Sequence, residues 1–487
     1  MVSILLGTLL RLYHIGDPYL LDFHGWRQSD TASFTLGYLT ETMNPVQPTL
    51  ASFPCEYRKF GFGPVESELP LVAWLAALPL WMLRVSYPPA WYLRSFSILF
   101  YLGTCGYLFL LARNLTHSRR IGALSVLAFS VFPISIFFTR VPLPDGPSLF
   151  FACGALLHLH RFLTHGAQRH ALASSAHTSA LLLLKISNGF YLIVCAYLIV
   201  KHRGWFSWAK SGLLWTWSAI GILPAVFWYV HASHAPWSFG IWGEKLSRPQ
   251  DVLSVSAWSV LIQRIPHEIL TWSGLVLTVL GLSSRRYRAL VVTCSVWLLA
   301  FVLFAMLAIR PNVIHVYYQL PLVLPTSLLI AVALARILAV RHRVKWLGLA
   351  SLALLHGFAT INILLYDTHS RGEKGWYKLN HPMSDAVELL HARLPPGARF
   401  VSSDQNPGLF YNSGHKGWFS NRSVYSLTSC AGPNAPYLLL DSRTRWSYAH
   451  LLQSSPSLRV SYKPIGHTRA YTLFHATVVI DGVSKRR

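Results

Sequence analysis

The chain is built from apolar runs separated by short polar connectors. Apolar segments lie near 2–15, 69–83, 93–112, 121–138, 147–163, 171–184, 187–200, 211–230, 269–282, 289–309, 317–340 and 344–366. Runs of this length and composition predict membrane-crossing helices. Between them sit five basic clusters: Arg113/Arg119/Arg120, Arg161/Arg169, Lys201/Arg203/Lys210, Arg285/Arg286/Arg288 and Arg341/Arg343/Lys345. The excess of Lys and Arg in cytoplasmic loops places all five on the cytoplasmic side, with two crossings between successive clusters. The 69–83 segment breaks that parity and carries Pro70 and Pro79. It is therefore expected to lie in the outer interface. Residues 16–92 then form one long external loop with juxtamembrane helices, and eleven segments cross. Residues 1–15 are too few for ~30 Å of hydrocarbon at 1.5 Å per residue.

From about Asp367 the pattern changes. An amphipathic stretch, Ser384–Leu390, is followed by short β-like runs at Arg399–Ser402, Tyr437–Leu440 and Tyr471–Phe474, broken by Gly, Pro and Asn. These predict strands and a soluble α/β domain over 367–487, and the parity count puts it outside. Residues 1–366 form the transmembrane domain. The fold expected is thus a polytopic α-helical membrane protein with a C-terminal extracytoplasmic α/β domain.

Composition agrees. Of 487 residues 53% are hydrophobic and 12% charged, with 18 Trp. A formal net charge of +24 would suit nucleic acid, but no basic run is long enough to track a phosphate backbone, and nucleic acid is excluded as a partner. Four of the six Cys fall in apolar segments. Cys55 and Cys430 lie in loops, which is too few for a disulfide framework. None of the 18 Asp and Glu falls in a cytoplasmic loop of this topology. Either acids merely avoid basic loops, or the outer face carries the chemistry.

The densest polar stretch is Leu21-Asp22-Phe23-His24-Gly25-Trp26-Arg27-Gln28-Ser29-Asp30-Thr31-Ala32, just past the first apolar segment. An ionisable residue at membrane depth costs a few kcal/mol (~2.5–3.5 at mid-helix) and is a functional candidate. At a helix exit the cost is smaller, and Asp22 could equally cap a helix or pair with Arg27. The second external loop, Thr139-Arg140-Val141-Pro142-Leu143-Pro144-Asp145-Gly146-Pro147, is stiffened by prolines and can hold Asp145 firmly. Asp145 could also cap the following helix. Glu66 and Glu68 precede the interfacial segment. Lys185 separates two 14-residue apolar halves, which predicts a broken helix pair with the ammonium turned into a cavity, where it can meet a phosphate. Snorkelling to the interface is the alternative. Arg310, His315, Tyr317 and Tyr318 open another crossing on the outer face with donors and aromatic surface, although interfacial Tyr also belongs to ordinary aromatic belts. His24 with Asp22 and Glu66 offers ligands for a divalent metal, without any tight ligand spacing. No Walker loop, dinucleotide fingerprint, nucleophile elbow or zinc signature is present.

Taken in series, Asp22-Phe23-His24-Gly25-Trp26-Arg27-Gln28-Ser29-Asp30-Thr31-Ala32, Glu66-Ser67-Glu68-Leu69-Pro70-Leu71, Arg140 to Asp145, Leu184-Lys185 and His315 to Pro321 resemble the GT-C glycosyltransferases of family 39. That family includes protein O-mannosyltransferases and the lipid A aminoarabinose transferase. The likeness runs over most of residues 10–330. One departure is that Asp22 is followed by Phe23, where the family's first loop usually opens Asp-Glu.

The resemblance implies a GT-C fold in the plasma (inner) membrane. It also implies an inverting transfer of sugar from a polyprenyl-phosphate donor to a lipid, protein or glycan acceptor on the outer side. Asp22 is then the expected base, with Asp145 and Glu66 shaping the site. Lys185, Arg310, Arg140 and Arg27 would bind the donor phosphate, and His24, His315, Tyr317, Tyr318 and Glu68 the sugar or acceptor. The readings that compete are a transporter or flippase of a lipid-linked sugar, for which a twofold internal repeat is missing, and a non-catalytic protein of the same fold acting in envelope assembly.

Overall fold

The structure is a computed structural model. It describes residues 2–21, 23–55, 68–206, 210–234, 246–366, 375–420, 436–441 and 460–478. The chain forms two compact units that interleave along the sequence. One comprises Met1–Ile15, Glu66–Val72 and Trp91–Tyr377; the other comprises Gly16–Val65, Ala73–Ala90 and Lys378–Arg487.

The first unit is helical. Among the described residues five helices are long and apolar enough to cross a membrane: Ala90–Thr116, Gly212–His234, Arg288–Leu307, Val316–Ala339 and Val344–Tyr366. A sixth span results if Val255–Ile269 and Thr271–Leu282, bent by 102°, are taken as one. Other apolar segments form shorter helices, such as Gln168–Leu184 and Tyr191–Arg203. Outward faces carry large apolar side chains (Leu299, Leu354, Phe358), as a hydrocarbon solvent allows.

Breaks in helices are the unit's most informative feature, because backbone groups freed at membrane depth must be satisfied internally. At Lys185 the backbone is extended (φ −165°, ψ 117°), and a 3-10 turn, Ile186–Phe190, leads into the next helix. The carbonyls left open are taken up locally. Leu181 O accepts from Asn188 Nδ2 (2.9 Å), Leu182 O from the Tyr229 hydroxyl (3.2 Å), and Leu183 O from the Leu69 N–H (3.1 Å). The same construction recurs at His315, extended between Ile309–Ile314 and a 3-10 turn over Val316–Leu322. A third break follows a π-turn at Ile265–Ile269, where Thr271 adopts φ +61°.

The second unit is organised on a six-stranded sheet: β1 (Ser52–Pro54), β2 (Phe400–Ser402), β3 (Gly417–Phe419), β4 (Tyr437–Asp441), β5 (Val460–His467) and β6 (Tyr471–Val478), in the order β1-β3-β2-β4-β6-β5. The first four pair in parallel; β6 joins antiparallel to β4 and β5. All three residues of β2 are buried, as a central parallel strand requires. The helix Pro407–Ser413 crosses from β2 to β3. Asn406 caps it, its side chain accepting from Gly408 N at 2.9 Å, and Pro407 sits at the first helical position. The amphipathic stretch lies in the helix His381–Arg393, whose Ala386, Val387 and Leu390 pack with Phe400, Leu439 and Leu473. The edge strand β1 comes from the N-terminal part of the chain, and residues 16–65 belong to the same compact unit as the C-terminal region. Cys55, next to β1, is disulfide-bonded, and its partner lies outside the described residues.

Candidate functional site

In the first unit, two helix breaks meet. The helix Asp145–His165 begins at Asp145, whose carboxylate gains from the positive end of the helix dipole without capping it by a side-chain bond. The prolines of the preceding loop set its entry. Gly146 allows close packing: a Cβ there would stand 2.9 Å from the Phe138 carbonyl oxygen. Forty residues on, the Lys185 Nζ donates to Asp145 Oδ1 at 2.7 Å, and both side chains are more than nine-tenths buried. The ammonium also lies 3.8 Å from the Tyr318 ring centroid and 4.8 Å from that of Tyr317. His315 stacks on Tyr317 with centroids 5.1 Å apart and planes within 9°. The Glu68 carboxylate acts on Lys185 as a second negative charge. Asp145, Lys185, Tyr317, Tyr318, His315 and Glu68, which the sequence suggested from separate segments, thus share one neighbourhood.

Such a buried ammonium needs both partners. Taking it out of water costs several kcal/mol, which a hydrogen-bonded carboxylate and ring faces offset. An ammonium has three N–H donors, and Asp145 takes one. A phosphate oxygen brought to the same Nζ would meet a charge already desolvated and held in place.

Arg310 stands on the Ile309–Ile314 helix, is nearly half exposed, and pairs with Asp251 Oδ2 at 2.8 Å. The Arg248 N–H, then the Arg310 guanidinium, hold the Asp251 carboxyl below its ordinary range. Arg140 is placed differently from what its loop suggested. It is buried and donates to the carbonyls of Tyr13 and His14 (2.7 Å to His14), its guanidinium 4.8 Å from the Tyr377 ring. Its hydrogen bonds fasten the end of the first helix.

Sequence reasoning missed Arg264 and Glu268, both almost fully buried at the third break. Arg264 Nε lies 3.6 Å from Glu268 Oε2, and Nη1 donates to Asn312 O at 2.8 Å, fixing the short helix that leads to His315. Their i,i+4 spacing beside a proline was the available signal.

In the second unit, the stretch expected as a loop is the helix Gly25–Thr40, with His24 before it in a left-handed conformation (φ 53°). Gln28, Ser29 and Ala32 are buried, and Ser29 Oγ donates to Tyr19 O at 3.0 Å. Arg27 pairs with Asp30 at 2.6 Å. Asp22 and Glu66 lie outside the described residues. Among the described residues no three His, Cys, Asp or Glu side chains gather as a metal site would require.

Helices interrupted beside ionisable residues, with five or more apolar spans among the described residues, define a multi-pass membrane protein. Its fold is that of the GT-C glycosyltransferases. Residues 66–230 match the family model described as dolichyl-phosphate-mannose-protein mannosyltransferase. ArnT from Cupriavidus metallidurans, solved bound to undecaprenyl phosphate, is similar over 98% of this chain and 97% of its own, with a TM-score of 0.66 and 12% identity. The Archaeoglobus fulgidus oligosaccharyltransferase in complex with zinc and sulfate is similar over 96% of this chain and 72% of its own (TM-score 0.57, 11% identity). The mycobacterial arabinofuranosyltransferase AftD is similar over 99% and 41% respectively (TM-score 0.52, 16% identity). No curated protein matches the chain in sequence.

Proposed function

We propose that this chain is an inverting glycosyltransferase that moves a sugar from a polyprenyl-phosphate donor to a lipid, protein or glycan acceptor on the extracytoplasmic side of the plasma membrane. One observation carries the reading: a buried ammonium, Lys185, held by Asp145 and two tyrosine rings where two broken helices meet. It occurs in a fold shared with ArnT, which was solved with undecaprenyl phosphate bound. Lys185 and Arg310 would bind the donor phosphate, and their charge would stabilise it as it leaves. The bond from the anomeric carbon to the phosphate oxygen breaks as the acceptor oxygen attacks from the opposite face, and the acceptor proton passes to a carboxylate. Asp22 is assigned that base on its place in the sequence. A single carboxylate suffices for inversion, and it must come within roughly 3 Å of the acceptor proton.

Eleven crossings, with residues 1–366 as the catalytic membrane domain and 367–487 outside, fit the basic clusters. The disulfide at Cys55 supports an oxidising compartment for the second unit.

The test is consumption of polyprenyl-phosphate sugars by the purified chain in detergent, without any gradient. A transporter would leave the donor intact. Asp22→Asn is expected to lower turnover by about 10²–10⁴-fold while membrane insertion stays intact. Activity equal to the parent chain would remove Asp22 from the mechanism.

A further inference from the structure

Arg264 and Glu268 form a second buried ion pair, 3% and 2% exposed, which the transfer reaction as proposed does not use. A buried pair is often no more stabilising than well-packed apolar residues of similar volume. Its place in the fold therefore needs another account.

The surroundings supply one. The pair straddles the π-turn Ile265–Ile269, which is closed by Leu270 N on Ile265 O at 2.9 Å, and Thr271 follows at φ +61°. Single π-turns gather at functional sites. A β-branched residue in the left-handed region is strained and persists only where its neighbours hold it. Here the Thr271 hydroxyl is bonded to His356 Nδ1 at 2.8 Å. Across from the turn, Asn312 O is among the last four carbonyls of the helix Ile309–Ile314, which the helix cannot satisfy itself. Arg264 Nη1 donates to it at 2.8 Å, a cation placed at a helix C-terminus, while Nε lies 3.6 Å from Glu268 Oε2. A guanidinium can meet the carbonyl and the carboxylate together, and an ammonium lacks that fork.

Beyond this helix end come the rings over Lys185. His315 is three residues past Asn312, and its ring lies within 9° of parallel to Tyr317, which lies within 26° of Tyr318. Rings stacked in this way move together. The backbone from Asn312 to His315 thus sets where Tyr318 stands over the Lys185 ammonium, 3.8 Å from its ring centroid. The helix Pro133–Phe138 packs on both the π-turn and the 3-10 turn Val316–Leu322, with Phe138 and Tyr317 5.8 Å apart ring to ring. It closes the frame from the other side.

We infer that Arg264 and Glu268 are positioning residues of the transfer reaction. They clamp the end of the Ile309–Ile314 helix, which holds the aromatic stack and, beneath it, the Lys185 ammonium in register for the donor phosphate. The inference rests on the proposed function for what the stack serves, whereas the clamp itself can be read without a donor.

Arg264→Met/Glu268→Leu removes both charges at similar volume, so Tm in detergent should stay near that of the full-length parent. Hydrogen exchange followed by mass spectrometry should quicken about tenfold over His315–Leu322 and stay unchanged over the turn Ile186–Phe190. With whichever polyprenyl-phosphate sugar the parent consumes, kcat should fall by about 10²-fold, the scale of a 1 Å misplacement. Donor KM should change less, because Lys185 keeps its charge for ground-state binding. Arg264→Lys keeps the charge and loses the fork, and it should reproduce these effects. Unchanged exchange over His315–Leu322 in both variants overturns the inference, as does local quickening with the parent's kcat. A lowered Tm with exchange quickened throughout the unit in both variants makes the pair merely structural and overturns it too. A parent chain that turns over no donor removes the proposed function, and exchange then still decides whether the clamp exists.

Discussion

Two regions of the helical unit bury cations, and they do so by opposite means. Around Lys185 the charge is met by charge: Asp145 at 2.7 Å, with Tyr317 and Tyr318 over the ammonium. Around the first helix the charge is met by dipoles. Arg11 is fully buried, yet its Nε donates to Thr139 Oγ1 (2.7 Å), Nη1 to Gly7 O (2.8 Å) and Ser130 O (3.1 Å), and Nη2 to Ser135 Oγ (2.9 Å), while Tyr101 lies 3.6 Å beneath it. Arg94 and Arg140 likewise end on the carbonyls of Tyr13, His14 and Ile15. A planar guanidinium can satisfy a ring of fixed acceptors, whereas an ammonium acts as a point charge. The guanidinium arrangement fixes a helix. The ammonium gives one of its three N–H donors to Asp145, and on the proposed function the others are what a donor phosphate would meet.

Removing Lys185 should have the largest effect. Lys185→Met leaves the buried Asp145 charge uncompensated and is expected to cost about 3–5 kcal/mol, read as a lower Tm in detergent, together with loss of transfer. The double variant Lys185→Met/Asp145→Leu removes both charges. It should recover most of the stability and none of the activity. A single variant with unchanged Tm would show that the pair is not the buried, dry contact described.

Arg11→Lys sharpens the other half of the comparison. An ammonium cannot serve acceptors spread over four residues, so some are left bare at a cost of about 1–3 kcal/mol. Donor KM should not change. A shift in KM with the Tm held would move Arg11 from brace to site.

The sequence carried one of these regions and hid the other. Lys185 was visible because it divides an apolar run into halves too short to cross, and Asp145 because prolines mark its loop. Their pairing across forty residues was not encoded in either segment. Arg11 looked like the basic end of a short apolar run, for three of its four partners lie 119–128 residues away. Arg140 has the look of a phosphate ligand in sequence, and only the fold shows its hydrogen bonds going to main-chain carbonyls. The strands at 400, 437 and 471 could be read as short β-forming runs bounded by Gly, Pro and Asn. β1 and β3 have three residues each, too few for a period, and β1 pairs with a segment some 360 residues distant. The Gly25–Thr40 helix escaped notice because it buries polar side chains rather than an apolar stripe.

Arg140→Lys tests the boundary between the two regions. As a brace it should lose about 1–3 kcal/mol and leave the apparent donor KM unchanged. As a phosphate ligand it would raise KM with little change in Tm.

Arg310→Ala should have the smallest effect on stability and should act on binding alone. The guanidinium is nearly half exposed, so water and salt screen the pair. Tm should stay within error of the parent. If Arg310 meets the donor phosphate, apparent donor KM should rise, more at low ionic strength than at high, because an exposed cation attracts an anion less as salt increases. Lys185, buried beneath two rings, should show little such dependence. Donor affinity measured at two salt concentrations therefore separates an outer cation that recruits the phosphate from an inner one that holds it. A KM unaffected by Arg310→Ala at either concentration would leave Lys185 to bind the phosphate without Arg310.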